Sequence, residues 1–436
     1  MEPEALARNI IAKLRSAGHQ AYLVGGCVRD LILGHKPKDY DVATDARPDR
    51  IMDLFPRSGR VGAHFGVVLV RDVFDQVEVA TFRSDHDYLD GRHPEQVRFE
   101  SDPREDVLRR DFTINGLMMD PDDGRVLDFV EGQEDLKRGI IRAIGDPYAR
   151  FREDHLRLLR AVRFAARFGF TIEPETMRAI QRDHALILKV SCERVRDEIT
   201  RILTEGGARR GFEMLDESGM LADLLPEVAA MKGVEQPPEY HPQGDVWTHT
   251  LMLLEQLRQP TVTLALGALL HDVGKPPTFR VAERIRFDGH VEEGMRMAEA
   301  ILNRLRYSRA EIDQAVALVA NHMKFKDVQH MKDSTLKRFL RMPEFQEHLE
   351  LHKMDVMASN RRLENYELTM RKLEEFGEEA LKPEPLITGA DLIAAGYQPG
   401  PEFSKMLRAV EDAQLEGRIA TAGEALQLVR EAFGGV

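Results

Sequence analysis

Short β-branched segments crowd the first 140 residues of this chain and then stop, while from residue 150 onward nearly every stretch repeats at helical spacing. AYLVGG (21–26), DYDVAT (39–44), residues 66–72 and FDQVEVATF (74–82) are each bounded by Gly, Asp or Pro, as short strands closed by turns are. VRDLILG, between the first two, reads as a short helix closed by Gly34. From Asp154, HLRLLRAVRFAARFGF sets Leu156, Leu159, Val162, Phe164 and Ala166 near a helical period, with Arg157, Arg160, Arg163 and Arg167 interleaved. One face of that helix is therefore a row of guanidiniums. The expected fold class is α+β: a head with a mainly antiparallel, largely hairpin-connected sheet and helices, followed by all-α regions.

At roughly 150 residues per domain, 436 residues suffice for about three domains. Breaks at MKGVEQPPEYHPQGD (231–245) and FGEEALKPEPLITGADL (376–392) divide the chain into 1–140, 141–235, 236–375 and a short helical tail, 376–436. The balance of 61 Lys+Arg against 74 Asp+Glu, a net charge of −13, argues against indiscriminate polyanion binding. Residues 141–210 nevertheless carry 15 Lys/Arg against 10 Asp/Glu, a local excess of +5 that leaves room for RNA on one face. No apolar run reaches the roughly 18 residues of a membrane span. MEPEALARNIIAKLRSAGH is a charged amphipathic helix without a signal peptide's apolar core, so a cytoplasmic protein that meets no membrane is expected. Cys27 and Cys192 match no zinc spacing and imply neither a disulfide framework nor a thiolate metal site.

Asp39-Tyr40-Asp41 places two carboxylates at i and i+2 of an expected strand, on one sheet face with Tyr40 on the other. Paired hard oxygens suit Mg2+, which keeps several waters and takes further ligands from phosphates. Glu78 adds a third carboxylate if its strand lies beside them, completing what two-metal phosphoryl transfer needs. Upstream, Gly25-Gly26-Cys27-Val28-Arg29-Asp30 follows a strand and opens a helix, so backbone N–H groups and Arg29 can gather around a triphosphate. Alone, a DxD is more often a solvated strand end. Strand, Gly-Gly, helix with Arg, then DxD is far more specific.

LVGGCVRDLILG with KDYDVAT, followed by RRDFTINGLMMDP (109–121), GQEDLKRGIIRAIGDP (132–147) and FREDHLRLLRAVRFAARFGF (151–170), resembles the class II tRNA nucleotidyltransferase and bacterial poly(A) polymerase superfamily. The resemblance is dense from about 20 to 200 and weaker beyond. It implies a head (1–140), a base-reading and RNA-binding neck (141–235), and template-independent addition of CTP and ATP to the tRNA 3′ end, with no obligate protein partner. Gly25, Gly26 and Arg29 would hold the triphosphate, Asp39 and Asp41, with Glu78, the magnesium ions, and Arg110, Asp111 and Asn115 the ribose and phosphates. Asp154 and Arg157 resemble the family's base-reading pair. At i and i+3 of a helix they would offer an acceptor and a forked donor to the edge that cytosine and adenine share. An isolated Asp-x-x-Arg is otherwise a surface ion pair. Arg160 and Arg163 would serve the triphosphate or merely solvate the helix. Asp90 and Arg92, in the polar stretch 83–94, resemble the flexible-loop element that accompanies addition of the terminal A and favours a full CCA adder over an A-only adder or a poly(A) polymerase.

His249, His271, Asp272, His290, His322 and Asp355 fall in the later helical block, 236–375, at gaps of 22, 1, 18, 32 and 33 residues. Imidazoles and carboxylates from separate helices can close an octahedral site, a carboxylate bridging when two metals bind. A lone helical His, such as His184 or His348, is usually structural. The six together resemble the dinuclear HD phosphohydrolases, which implies a divalent transition metal and hydrolysis of cyclic or terminal phosphates. Asp355 is equally compatible with a helix surface, and the domain with a tRNA-binding body. A metal phosphodiesterase whose N-terminal half merely binds RNA is the reading from another class.

Overall fold

The computed structural model describes residues 2–60, 66–73, 75–88, 91, 94–237 and 244–434. They fall into two compact units: Met1–Ala229 with Leu257–Gln259 and Arg304–Tyr307, and Ala230–Gln256 with Pro260–Asn303 and Ser308–Val436.

The first unit opens with α1 (Pro3–Ser16), which starts on a helix-compatible proline and buries Leu6, Ala7, Ile10, Ile11 and Leu14 along one stripe. Then come β1 (Ala21–Val24), α2 (Gly26–Ile32), β2 (Asp41–Thr44), α3 (Pro48–Leu54), β3 (Ser58–Arg60), β4 (Val67–Arg71) and β5 (Gln76–Thr81). A separate hairpin, β6 (Arg83–Tyr88) and β7 (Pro94–Phe99), precedes α4 (Pro103–Leu108), β8 (Leu117–Met119) and β9 (Val126–Asp128). The main sheet runs β3-β4-β5-β2-β1-β8-β9. It is antiparallel throughout except for β2 and β5, which pair in parallel with Asp41 opposite Glu78. Val24, Ala43, Phe82, Val107 and Met118 form the core against its face.

Helices follow: α5 (Gly132–Arg138), α6 (Pro147–Glu153), α7 (Arg157–Phe168), α8 (Pro174–Asp183), α9 (Cys192–Thr204) and α10 (Ala208–Glu217). The guanidinium-bearing helix thus starts three residues later than its periodicity suggests. Asp154 is extended (φ −137°, ψ 105°), and its carboxylate accepts from the Leu156 N–H at 3.1 Å. A short acidic side chain satisfies a free N–H at the start of α7 better than it would continue α6.

Among the described residues, the regular elements of the second unit are helices apart from two-residue strands at Arg280–Val281 and Ile285–Arg286. Val262–Leu270 is buried from Leu264 onward and carries His271 at its end. Val246–Gln256, His290–Arg304, Arg309–Asn321 and Phe345–Ala358 are further helices of this block. Ile387, Leu392, Met406, Val410, Ala425 and Val429 make a small core of the last helices. Among the described residues no helix is long and apolar enough to cross a membrane.

Candidate functional site

The parallel pairing of β2 and β5 brings Glu78 beside Asp41. Asp39 precedes the strand rather than lying in it, because β2 begins at Asp41. It is exposed, whereas Tyr40 is buried with its hydroxyl donating to Glu4 Oε2 at 3.2 Å. Burial first, then the Glu78 carboxylate, push the Asp41 carboxyl up to about 6, against the pull of Arg110 and with a further push from Asp39. The raised Asp41 carboxyl, beside Glu78 and Asp39, is a hard-oxygen site whose charge a divalent cation would relieve, although only the two triads of the second unit hold their ligand atoms within 4.8 Å among the described residues.

Behind them, Gly25 turns the chain from β1 into α2 at φ 74°, and a Cβ there would sit 3.1 Å from Arg110 Nη1. Only glycine gives both that dihedral and that close approach. Arg110 is held by Asp106 at 2.9 Å. Arg29 does not reach out freely. It is buried, with Nε and Nη2 on Asp30 at 2.8 and 2.7 Å and Nη1 on Asn115 Oδ1 at 2.7 Å, and it lies over Phe164 and Phe168. Asn115 Nδ2 donates to Asp111 Oδ1 at 3.1 Å, and Arg160 donates to Asp111 Oδ2 at 2.9 and 2.6 Å. Burial pushes the Asp111 carboxyl up, but Arg160 and Asn115 outweigh it and hold it below its ordinary range. Arg29, Asn115, Asp111 and Arg160 are thus one hydrogen-bonded chain tying α2 to α7.

Asp154 and Arg157 do not share a helix face, since α7 begins at Arg157. The Asp154 carboxylate pairs with Arg194 at 3.1 Å. Arg157 is buried, with Nη1 on Glu153 at 2.9 Å and Nη2 on the Arg109 carbonyl at 3.0 Å. Arg163 neither solvates its helix nor faces a free phosphate site: it is 3% exposed and donates to Glu198 Oε2 at 2.6 Å. Asp90 and Arg92 lie outside the described residues. Sequence reasoning passed over Glu198, Asp106 and Arg194, which no local pattern marks.

In the second unit all six spaced residues converge in two triads, His249 with His271 and Asp355, and Asp272 with His290 and His322. The ligand atoms of each triad lie within 4.8 Å of one another. Nδ1 of His271, His290 and His322 bonds the Ala268, Phe287 and Val319 carbonyls at 3.0, 2.9 and 2.7 Å, which leaves each Nε2 to face inward. The Nε2 atoms of His290 and His322 are buried with no hydrogen-bond partner among the described residues. Asp272 Oδ2 is 3.2 Å from His271 and Oδ1 is 3.8 Å from His322, so one carboxylate spans both triads. Burial lowers His322 to about 4 and also lowers His290, keeping both imidazoles neutral and able to ligate. This donor set fits two divalent metals bridged by a carboxylate. A Cβ on Gly274 would fall 2.1 Å from the His290 carbonyl, so the glycine lets the two ligand-bearing segments touch. Of the two histidines set aside as structural, His184 pairs with Asp223 at 2.5 Å, while Nδ1 of buried His348 has no partner among the described residues.

Residues 21–142 match the Poly A polymerase head domain, 169–232 the probable RNA and SrmB-binding site of polymerase A, and 244–379 the HD domain. The chain is 45% identical over 215 residues to the CCA-adding enzyme of Levilactobacillus brevis, covering 49% of this chain and 54% of that one. It is 42% identical over 215 residues to that of Bacillus subtilis, with 49% and 54% covered. The matched stretch spans about half the length of these curated relatives. Among solved structures, that of the Bacillus stearothermophilus CCA-adding enzyme in complex with CTP superposes with a TM-score of 0.76 at 27% identity, covering 99% of this chain and 98% of that one. The Thermotoga maritima CCA-adding enzyme complexed with tRNA shares the fold at a TM-score of 0.63 and 20% identity, over 99% and 96% of the two chains.

Proposed function

Because the chain belongs to the family of class II tRNA nucleotidyltransferases and bacterial poly(A) polymerases and carries an HD domain, we propose that it adds or repairs the 3′-terminal CCA of tRNA from CTP and ATP and hydrolyses phosphate esters at its HD site. The observation that carries the first part is the corner formed by Asp39, Asp41 and Glu78 beside the Gly25 turn and Arg110. Magnesium bound by the three carboxylates supplies charge neutralisation for phosphoryl transfer. The chain's own part is to orient. The Gly25 N–H is committed to the Leu117 carbonyl at 3.1 Å, so the Gly26 N–H and the Arg110 guanidinium face the triphosphate, while the 3′ hydroxyl of tRNA is placed at the carboxylates. The hydroxyl oxygen then bonds the α-phosphorus as the bond to pyrophosphate breaks. Arg29 acts through Asn115, holding it against Asp111. For Asp154 and Arg157 to read a base, the pairings with Arg194 and Glu153 must open or be shared with the nucleotide.

The four-part division at 140, 235 and 375 goes with this reading: head, neck, HD region and tail. A divalent transition metal at the HD residues supplies Lewis-acid activation of water and phosphate. His271, His290 and His322 are pre-oriented for it by their carbonyl partners.

The test is incorporation of labelled CTP and ATP into tRNA ending before, within and after its CCA. Failure to add either nucleotide refutes the first activity, and C without A contradicts the role given to Asp90 and Arg92. Long A tracts on generic RNA identify a poly(A) polymerase instead. Asp39→Ala/Asp41→Ala should abolish incorporation and spare phosphoester hydrolysis, and His271→Ala/Asp272→Ala the reverse.

A further inference from the structure

A cavity of about 890 Å³ in the second unit opens over Asp272, His290, His322 and Asp355. Gln236 and Lys275, to which neither the six-ligand pattern nor the proposed chemistry assigns a part, also line it. Lys275 is buried, and its Nζ donates to Asp272 Oδ2 at 2.6 Å and to Gln236 Oε1 at 2.7 Å. An ammonium can only donate, so the amide oxygen of Gln236 must face it and the amide nitrogen must face away. That Nε2 is buried and has no partner among the described residues, on a side chain that is 4% exposed overall. A buried donor with no acceptor is costly, and it persists where a ligand supplies the acceptor.

At the mouth of the same cavity stand Arg284, Arg286 and Lys326, all exposed and none in an ion pair with another described residue. The two arginines are brought there by the turn and second strand of the small hairpin. Phe287 and Met323 give the wall between them an apolar surface. The cavity therefore has a floor of metal-ligating atoms, one orphaned neutral donor beside it, and unpaired positive charge at the entrance.

We propose that Gln236 is the phosphate-recognition residue of this cavity: Nε2 donates to a non-bridging oxygen of the substrate's phosphoryl group, with Lys275 as the positioning residue that fixes the amide. Arg284, Arg286 and Lys326 engage a neighbouring phosphate. The substrate class is accordingly a phosphate ester at the end of a polynucleotide, in preference to an isolated phosphomonoester or cyclic nucleotide. This rests on the hydrolase reading of the HD site.

The experiment uses the full chain loaded with Mn2+, with 2′,3′-cyclic AMP and a short RNA ending in a 2′,3′-cyclic phosphate as substrates, and inorganic phosphate as the calorimetric probe. Gln236→Glu keeps the acceptor for Lys275 but replaces the free donor with an acceptor. It should retain metal content and thermal midpoint while raising KM on both substrates and Kd for phosphate at least tenfold. Gln236→Met, which keeps the shape without either group, should weaken phosphate binding in the same direction. Arg286→Ala/Lys326→Ala should raise KM several-fold for the RNA and leave that for 2′,3′-cyclic AMP unchanged. Wild-type phosphate binding in Gln236→Glu and Gln236→Met overturns the assignment of Gln236 while the hydrolase reading stands. Equal effects of the mouth variant on both substrates overturn the polynucleotide class. A wild-type chain that neither hydrolyses a phosphoester nor binds phosphate overturns the hydrolase reading itself.

Discussion

Arg163 gives the sharpest contrast between a solvated guanidinium and a buried one. Its Nε donates to Glu198 Oε2 at 2.6 Å, its Nη1 lies 3.6 Å from Glu205, and its plane sits 4.1 Å from the centroid of Phe164. The side chains of Arg163 and Glu198 are only 4% and 5% exposed. Glu198→Ala therefore strands a charge that water cannot reach. Breaking such a pair costs about 3–5 kcal/mol, and the remaining carboxylate of Glu205 places the expected value near the lower end, about 3 kcal/mol. At roughly 2–4 °C per kcal/mol for a unit of this size, the midpoint of the first unit should fall by about 6–12 °C. Differential scanning calorimetry on the full chain reads that transition. Incorporation kinetics well below the midpoint should show KM for CTP and ATP within about twofold of wild type, because a residue closed off by Glu198 contacts no nucleotide. Replacing both partners with apolar residues of similar volume, Arg163→Met/Glu198→Leu, should recover most of the loss, since an ion pair removed whole leaves no orphan. A fall under about 2 °C in Glu198→Ala, accompanied by a rise in KM, would refute the reasoning and return Arg163 to the triphosphate.

Gly25→Ala must hold φ near 74° and push Arg110 Nη1 away from a Cβ at 3.1 Å, so it should raise the nucleotide KM and cost about 1–3 kcal/mol. Wild-type kinetics and stability together would contradict the turn's role. Burial pushes the Asp106 carboxyl up, but Arg109 and Arg110 together hold it below the unfolded value of 3.8. Its stabilisation is thus present above pH ~4 and lost as pH falls through the folded pKa, so the midpoint gap between wild type and Asp106→Asn should narrow on acidification from about pH 5 to pH 3. A gap that widens contradicts the sign. Chelation should lower the second unit's midpoint by several degrees, because the Nε2 atoms of His290 and His322 are then left buried and unpaired. His322→Ala should lose metal as measured by elemental analysis, and an unchanged metal content would refute its assignment as a ligand.

The division into a strand-bearing head and helical remainder was legible because strand and helix periods are carried by neighbouring residues. That the six spaced residues of the second unit would converge was legible for a related reason: an adjacent His-Asp at the end of an apolar helix is a distinctive pattern, and His271 and Asp272 sit where Val262–Leu270 delivers them. The carboxylate corner was only half legible. Whether Glu78 joins Asp41 depends on β5 lying parallel to β2, a pairing across the intervening α3, β3 and β4 that no local pattern specifies.

The arginine stripe shows the limit most plainly. Its spacing was enough to place Arg157, Arg160 and Arg163 near one another. Only the folded chain supplied their carboxylates, Glu153 from the preceding helix, Asp111 from the loop after α4 and Glu198 from α9, and turned an apparent solvated face into an ion-paired network, fully buried at Arg163 and Glu198. The free nitrogen of Gln236 was likewise set by Lys275, a residue 39 positions away. Periodicity belongs to covalent neighbours and can be read along the chain. The fate of a charge or a polar donor depends on what closes over it and excludes water, and that is settled by packing between segments remote in sequence.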